Sequence, residues 1–203
     1  TQYCHLRKGS VSVRKGDRVS RKAVLGIMGL SGKTEFPHLH LSVRYKGKVI
    51  DPFLGVGAKA SCGIKGKPLW EPSLLSDLTY QPSGVLSSGF TDKVPNIKQV
   101  VAGQHRHKRL SRNAPNLVFW VMIFGLQVGD EEQLEVIAPD GSVLVRKQGE
   151  LAKKHQIRWF TFTGKRARGP WMTGEYKGKY KLIRKTESGL KVVSETTTTV
   201  RIK

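Results

Sequence analysis

Apolar and polar residues alternate in short runs over most of the chain, the period-two pattern of half-buried strands. Residues 10–14 read SVSVR and residues 38–44 read HLHLSVR, with a more apolar run, VLGIM, at 24–28. Gly16-Asp17, Gly29, Gly32 and Gly47 fall between them at hairpin-like intervals, and residues 49–53 predict a strand that ends at Pro52. Over 58–115 the pattern weakens, broken by Pro68, Pro72, Pro82, Pro95 and Pro115. Trp70, Leu74, Leu75, Leu78 and Tyr80 predict one short helix or an apolar clasp there, so the stretch reads as an ordered connector rather than a solvated linker.

From Asn116 the strand signal returns. Residues 117–124 (LVFWVMIF) are continuously apolar, as expected of a strand buried on both faces. Residues 134–137 and 143–146 flank Pro139-Asp140-Gly141, a hairpin turn in which glycine supplies the positive φ. Residues 157–163 alternate, and residues 174–184 and 192–202 flank Ser188-Gly189. Short strands at this spacing predict an antiparallel sandwich of immunoglobulin-like shape, although the Cys…Trp…Cys pattern is missing. The expected organisation is all-β: residues 1–57, a connector over 58–115, and a β-sandwich over 116–203.

Charge narrows the partners. The 203 residues carry 36 Lys+Arg against 15 Asp+Glu, a net charge of +21, and both halves of the chain share the excess. Such a field attracts anionic polymers: nucleic acid, anionic lipid or cell-wall polymer. Arg106–Arg112, Lys153-Lys154 and Lys165–Arg168 are dense enough to form an anion-binding face, but no recognised nucleic-acid motif accompanies them, which ranks nucleic acid below the other partners. Trp159, Trp171, Tyr176 and Tyr180 interleave with basic residues and are assigned mainly to core packing. No apolar run reaches membrane-spanning length. Cys4 and Cys62 permit one disulfide or two buried thiols, and the sequence leaves both open. The chain begins at Thr1 in strand-like sequence, which reads as a fragment or a processed product.

Candidate chemistry lies in Pro37-His38-Leu39-His40-Leu41. Residues two apart on a strand share a face, so His38 and His40 would project together while Leu39 and Leu41 face a core. Two neutral imidazoles on one face suit a metal, although exposed strand histidines are commonly just solvated. Upstream stand Tyr3-Cys4-His5-Leu6, Val13, Gly16-Asp17-Arg18-Val19, Leu25-Gly26, Gly29 and Gly32. With Pro-His-Leu-His and the strand ending at Asp51-Pro52, this stretch of about fifty residues resembles the lysostaphin/LytM-type zinc endopeptidases in order and spacing.

The resemblance implies the C-terminal part of an antiparallel β-sheet catalytic domain that hydrolyses peptide cross-links of bacterial peptidoglycan. It implies that His40 is a zinc ligand and that His5 and His38 flank the catalytic water. It further implies an exported location: periplasm, cell envelope or medium. The sequence departs from the family in lacking its His-x-x-x-Asp ligand pair, which lies upstream of the Tyr-x-His-Leu strand; only four residues precede His5. Either an upstream segment or another chain supplies those ligands, or the chain is a non-catalytic relative that binds cell wall or regulates a hydrolase. A second departure is Glu35-Phe36, where the family carries Thr-Gly, so Phe36 is expected to narrow the groove or touch substrate. His105 and His107 form a second His-x-His among Arg106, Lys108 and Arg109, and neighbouring cations favour a basic loop over a metal site. His155 has no partners in sequence and is assigned to a strand end at the surface.

Overall fold

The computed structural model describes residues 1–57 and 66–203. Cys62 lies outside the described residues. The fold is all-β, with 44% of the described residues in strands and 4% in helix, as the alternation predicts. It divides into two compact units, Thr1–Tyr80 and Gln81–Lys203.

The first unit holds an antiparallel sheet of β1 (Gln2–Cys4), β2 (His40–Tyr45) and β3 (Lys48–Ile50), in that order. Lys46 (φ 46°) and Gly47 (φ 80°) form the β2–β3 turn, both left-handed as a two-residue hairpin of this hand requires. Residues 10–14 and 24–28, expected as strands, run side by side without becoming regular ones. Ser12 N–H donates to the Leu25 carbonyl at 3.1 Å. Serine hydroxyls supply much of the rest: Ser12 Oγ donates to the Val24 carbonyl (2.6 Å) and Ser10 Oγ accepts from Ile27 N–H (3.0 Å). Alternating serines thus take over bonds that a ladder would make through the backbone. The stretch expected as a helix or clasp gives only a 3-10 turn, Pro72–Leu74. Trp70 packs on Phe53 at 5.6 Å between ring centroids, and Tyr80 stands 80% exposed.

The second unit contains β4 (Gly84–Thr91), α1 (Ile97–Val101), β5 (Arg109–Leu110), β6 (Asn116–Leu126), β7 (Glu131–Ile137), β8 (Val143–Gln148), β9 (Gln156–Arg166), β10 (Gly174–Thr186) and β11 (Gly189–Ile202). One sheet runs β5-β11-β10-β7-β8 and the other β4-β6-β9. The first, second and fifth long strands on one sheet, and the others opposite, give the interleaving of an immunoglobulin-like sandwich. Near the start of β10, the Tyr176 hydroxyl donates to the Met172 carbonyl four residues back at 3.2 Å, the tyrosine corner of that architecture. Between the sheets Leu117, Phe119, Val121 and Ile123 of β6 meet Leu134, Tyr180, Leu182 and Val200, all essentially inaccessible to solvent. The opposite side of β6 is buried too: Trp120 and Met122 pack under Val100 of α1.

Residues 84–91 fall in the stretch read as connector, yet they form a full strand of this sandwich. The strand signal is masked by two glycines with a packing task. A Cβ at Gly89 would come within 2.7 Å of the Trp120 ring, and one at Gly84 within 2.5 Å of the Phe124 ring. The small residues make room for aromatics of the neighbouring strand.

Candidate functional site

Pairing of β1 with β2 sets Cys4 opposite His40 and Tyr3 opposite Leu41, so His5 leaves β1 beside the start of β2. His5 then takes a left-handed backbone conformation, φ 61°. Its carbonyl accepts from Gly29 N–H at 2.9 Å, and Arg7 N–H donates to the Ile27 carbonyl at 2.7 Å. Gly29 permits this approach, since a Cβ there would sit 2.5 Å from Arg7 N. The result turns the His5 ring toward the other two imidazoles. Ring centroids of His5 and His38 are 4.8 Å apart, and those of His5 and His40 are 5.7 Å apart.

Two of the rings have a defined tautomer. His5 Nδ1 lies 2.8 Å from the Ser31 carbonyl, and His38 Nδ1 lies 2.9 Å from the Phe36 carbonyl. A carbonyl only accepts, so each Nδ1 carries a proton and donates, and in the neutral ring Nε2 is then the atom with the lone pair. Thr34 Oγ1, 3.2 Å from His38 Nδ1, itself donates to the Phe36 carbonyl at 3.0 Å and braces the arrangement. A backbone carbonyl that fixes one ring nitrogen so that the other is presented as a base or ligand is the usual support of such histidines. His5 and His38 are half-buried, whereas His40 is exposed.

His38 precedes the strand rather than lying in it, because β2 starts at His40. The expectation that Leu39 and Leu41 both face a core therefore meets a difference: Leu41 is half-buried, but Leu39 is 49% exposed. Phe36, expected at the groove, packs against the His38 ring at 5.0 Å between centroids. Thr34 belongs to no motif, and its one signal in the sequence is a hydroxyl four residues ahead of a candidate histidine. Cys4, half-buried in β1, stands opposite His40 in the strand pairing.

The donor set falls short of a metal centre. Among the described residues no group of three or more His, Cys, Asp or Glu could hold a metal ion. Three protein ligands and one open position define a catalytic zinc site; these residues alone do not fit zinc, and no catalytic step follows from them through the metal.

Residues 1–52 match the model of Peptidase family M23. That family comprises metallopeptidases, generally zinc-dependent and associated with peptidoglycan. The matched segment holds all three converging histidines. No curated protein matches the chain. Among solved structures, a Bifidobacterium dentium beta-glucuronidase complexed with coumarin-3-O-glucuronide is similar at 14% identity and a TM-score of 0.35, over 59% of this chain and 18% of that one. A putative beta-galactosidase from Bacteroides fragilis is similar at 11% identity and a TM-score of 0.35, over 58% and 17%. The chain thus spans less than a fifth of the length of either, and a similarity so slight bears on nothing further.

Of the second His-x-His, His105 serves the fold. His105, also left-handed at φ 63°, is bonded at both ring nitrogens, to Thr91 Oγ1 (3.0 Å) and Gln99 Oε1 (2.9 Å), and its carbonyl accepts from Trp120 Nε1 at 2.7 Å. That leaves no lone pair for a metal. His155 is exposed just ahead of β9.

Proposed function

We propose that this chain contributes part of the catalytic centre of a zinc-dependent endopeptidase that hydrolyses peptide cross-links of bacterial peptidoglycan, in the periplasm, at the envelope or outside the cell. The observation that carries the reading is the convergence of the His5, His38 and His40 rings within the M23-matching segment. In this reading His40 is one zinc ligand, and the remaining donors belong to a polypeptide segment or chain other than the described residues. With Nδ1 held by a carbonyl, the neutral rings of His5 and His38 would use Nε2 to take the proton of the attacking water and return it to the leaving amine. The excess of basic residues in the C-terminal half, 20 against 9 acidic over 101–203, supports a role for the sandwich in holding the enzyme on anionic wall polymers.

Zinc content and release of peptidoglycan fragments, measured on the complete gene product, test the proposal. His40→Ala should lose bound zinc and activity together. His5→Ala and His38→Ala should keep zinc and lose roughly 10²–10⁴-fold in rate, the usual worth of a positioned acid or base. Unchanged zinc content in His40→Ala would sink the assignment. A second reading, a non-catalytic wall-binding relative, draws on the incomplete donor set. It predicts that the complete gene product retains sacculi without zinc and without hydrolysis.

A further inference from the structure

A cleft of about 380 Å³ opens at the margin of the sandwich, where β8 edges one sheet and β9 edges the other. Inward positions of a sandwich are ordinarily apolar. At this margin they are polar: Glu132 on β7, Lys147 on β8 and Thr161 on β9 all line the cleft. Glu132 is only 8% exposed and Thr161 only 5%. Glu132 Oε2 accepts from Trp159 Nε1 at 2.6 Å, and its Oε1 accepts from the Tyr180 hydroxyl at 2.9 Å. A carboxylate has about four acceptor positions, so two remain. Burial pushes the Glu132 carboxyl above its ordinary range even though both hydrogen bonds pull it down. Its desolvation is thus incompletely offset within the protein, a cost of the kind that buried polar groups at binding sites carry.

The neighbouring acid is already committed. Asp130 takes Arg184 through both oxygens at 2.7 Å and also accepts from Gln127 N–H at 2.8 Å. The walls are fixed: Gly149 N–H donates to the Glu132 carbonyl and Ala152 N–H to the Asp130 carbonyl, each at 2.8 Å, which clips the loop after β8 onto β7. Lys147 Nζ already donates to Thr161 Oγ1 and to the Phe162 carbonyl, each at 3.3 Å, and keeps a third N–H. Around the Trp159 indole the cleft therefore offers a carboxylate acceptor, that remaining ammonium N–H as donor, the Thr161 hydroxyl proton, and Gln156, which both donates and accepts. Glu132 and Lys147 offset each other and Glu150 pairs with Lys153 at the mouth (3.4 Å), which leaves an excess of one positive charge at Lys154, so the lining does not select for strong charge.

We propose that this cleft binds an uncharged sugar ring. A pyranose presents adjacent hydroxyls that each donate and accept, together with an apolar C–H face, which matches mixed donors and acceptors arranged beside an indole. The site shares no residue with the histidine cluster, and the proposal stands whether or not the peptidase reading does.

Indole N–H signals of the full chain, titrated with N-acetylglucosamine oligomers and with cello-oligosaccharides, test it. A saturable shift of the Trp159 signal by either probe is expected. Trp120 and Trp171, whose indoles donate to the His105 and Ala114 carbonyls away from the cleft, should not move. Glu132→Gln and Lys147→Met should each weaken binding by about tenfold or more, the loss of one charge-assisted hydrogen bond. A Trp159 signal indifferent to both sugars overturns the proposal. So does a uniform drift of all the indoles, or wild-type affinity in both variants. If Glu132→Gln scatters the Trp120 and Trp171 signals, it has unfolded, and Lys147→Met, whose loss of the bonds to Thr161 and Phe162 is checked by the same two signals, decides together with the wild-type titration.

Discussion

His5 works from a backbone conformation that residues with a β-carbon avoid, at a cost of about 1–2 kcal/mol. What holds it there is the contact of its own strand with residues 27–29, and that contact depends on Gly29. A methyl at Gly29 would meet Arg7 N at 2.5 Å and Arg7 Cα at 2.6 Å, neither of which is the yielding tip of a side chain. Gly29→Ala is therefore expected to open the Leu6–Met28 bridge and to cost about 1–3 kcal/mol. The His5 Nδ1–H signal should be lost with it. An alanine variant that keeps both stability and that signal would show that the close approach is dispensable. The identities of the three histidines were legible from spacing and family resemblance. Their tautomers were not, because the acceptors are carbonyls of Ser31 and Phe36, and a backbone carbonyl leaves no mark in the residue code. Glu132 offers a second test at this scale. Its folded carboxyl holds its proton to higher pH than the ordinary 4.5, chiefly through desolvation. The folded state thus binds more protons than the unfolded chain, and this group's contribution to stability falls as pH rises from about 4.5 through the folded pKa. Urea denaturation across that interval should show wild type losing ground relative to Glu132→Gln. A constant difference between the two would refute the sign.

Among the elements, strands that announce themselves by unbroken apolar runs or clean alternation were readable: 117–124 became the heart of β6, and 174–184 and 192–202 became the β10–β11 hairpin. Elements whose residues serve a neighbour were not. β4 looks like a loop because Gly84 and Gly89 accommodate rings from β6, and residues 10–14 look like a strand although their serines bond through side chains. Gly178, midway along β10, is the same device between sheets. A Cβ there would lie 2.4 Å from the ring of Phe119, which is fully buried. Gly178→Ala should destabilise the sandwich by about 1–3 kcal/mol, and adding Phe119→Leu should recover part of that loss by freeing space. Thermal or chemical denaturation of the two single variants and the double checks it; strictly additive losses would mean that the ring and the new methyl do not compete for the same volume.

On the scale of the whole molecule, the two units differ in what holds them. Both apolar clusters belong to Gln81–Lys203, and every buried side chain in them comes from that unit. Among the described residues of Thr1–Tyr80 no apolar side chain is buried, and Val11, Val24, Met28 and Val49 are each more than half exposed. Burial is the main favourable term in folding, so a three-stranded sheet without it has little to set against its conformational entropy. Amide exchange in this chain should therefore be slow in β6, β10 and β11, at rates set by global unfolding, and fast by orders of magnitude in β1, β2 and β3. The same argument bears on the proposed chemistry. Imidazoles that must hold one geometry while a proton moves need a rigid backbone beneath them. If donors from outside the described residues complete the zinc site, the polypeptide that brings them should also cover the apolar side chains left open here, and protection of β1–β3 should rise in the complete gene product. Protection that is already high in this chain alone would show that its histidine cluster needs no such cover. Protection that stays low in the complete gene product would separate the cluster from catalysis.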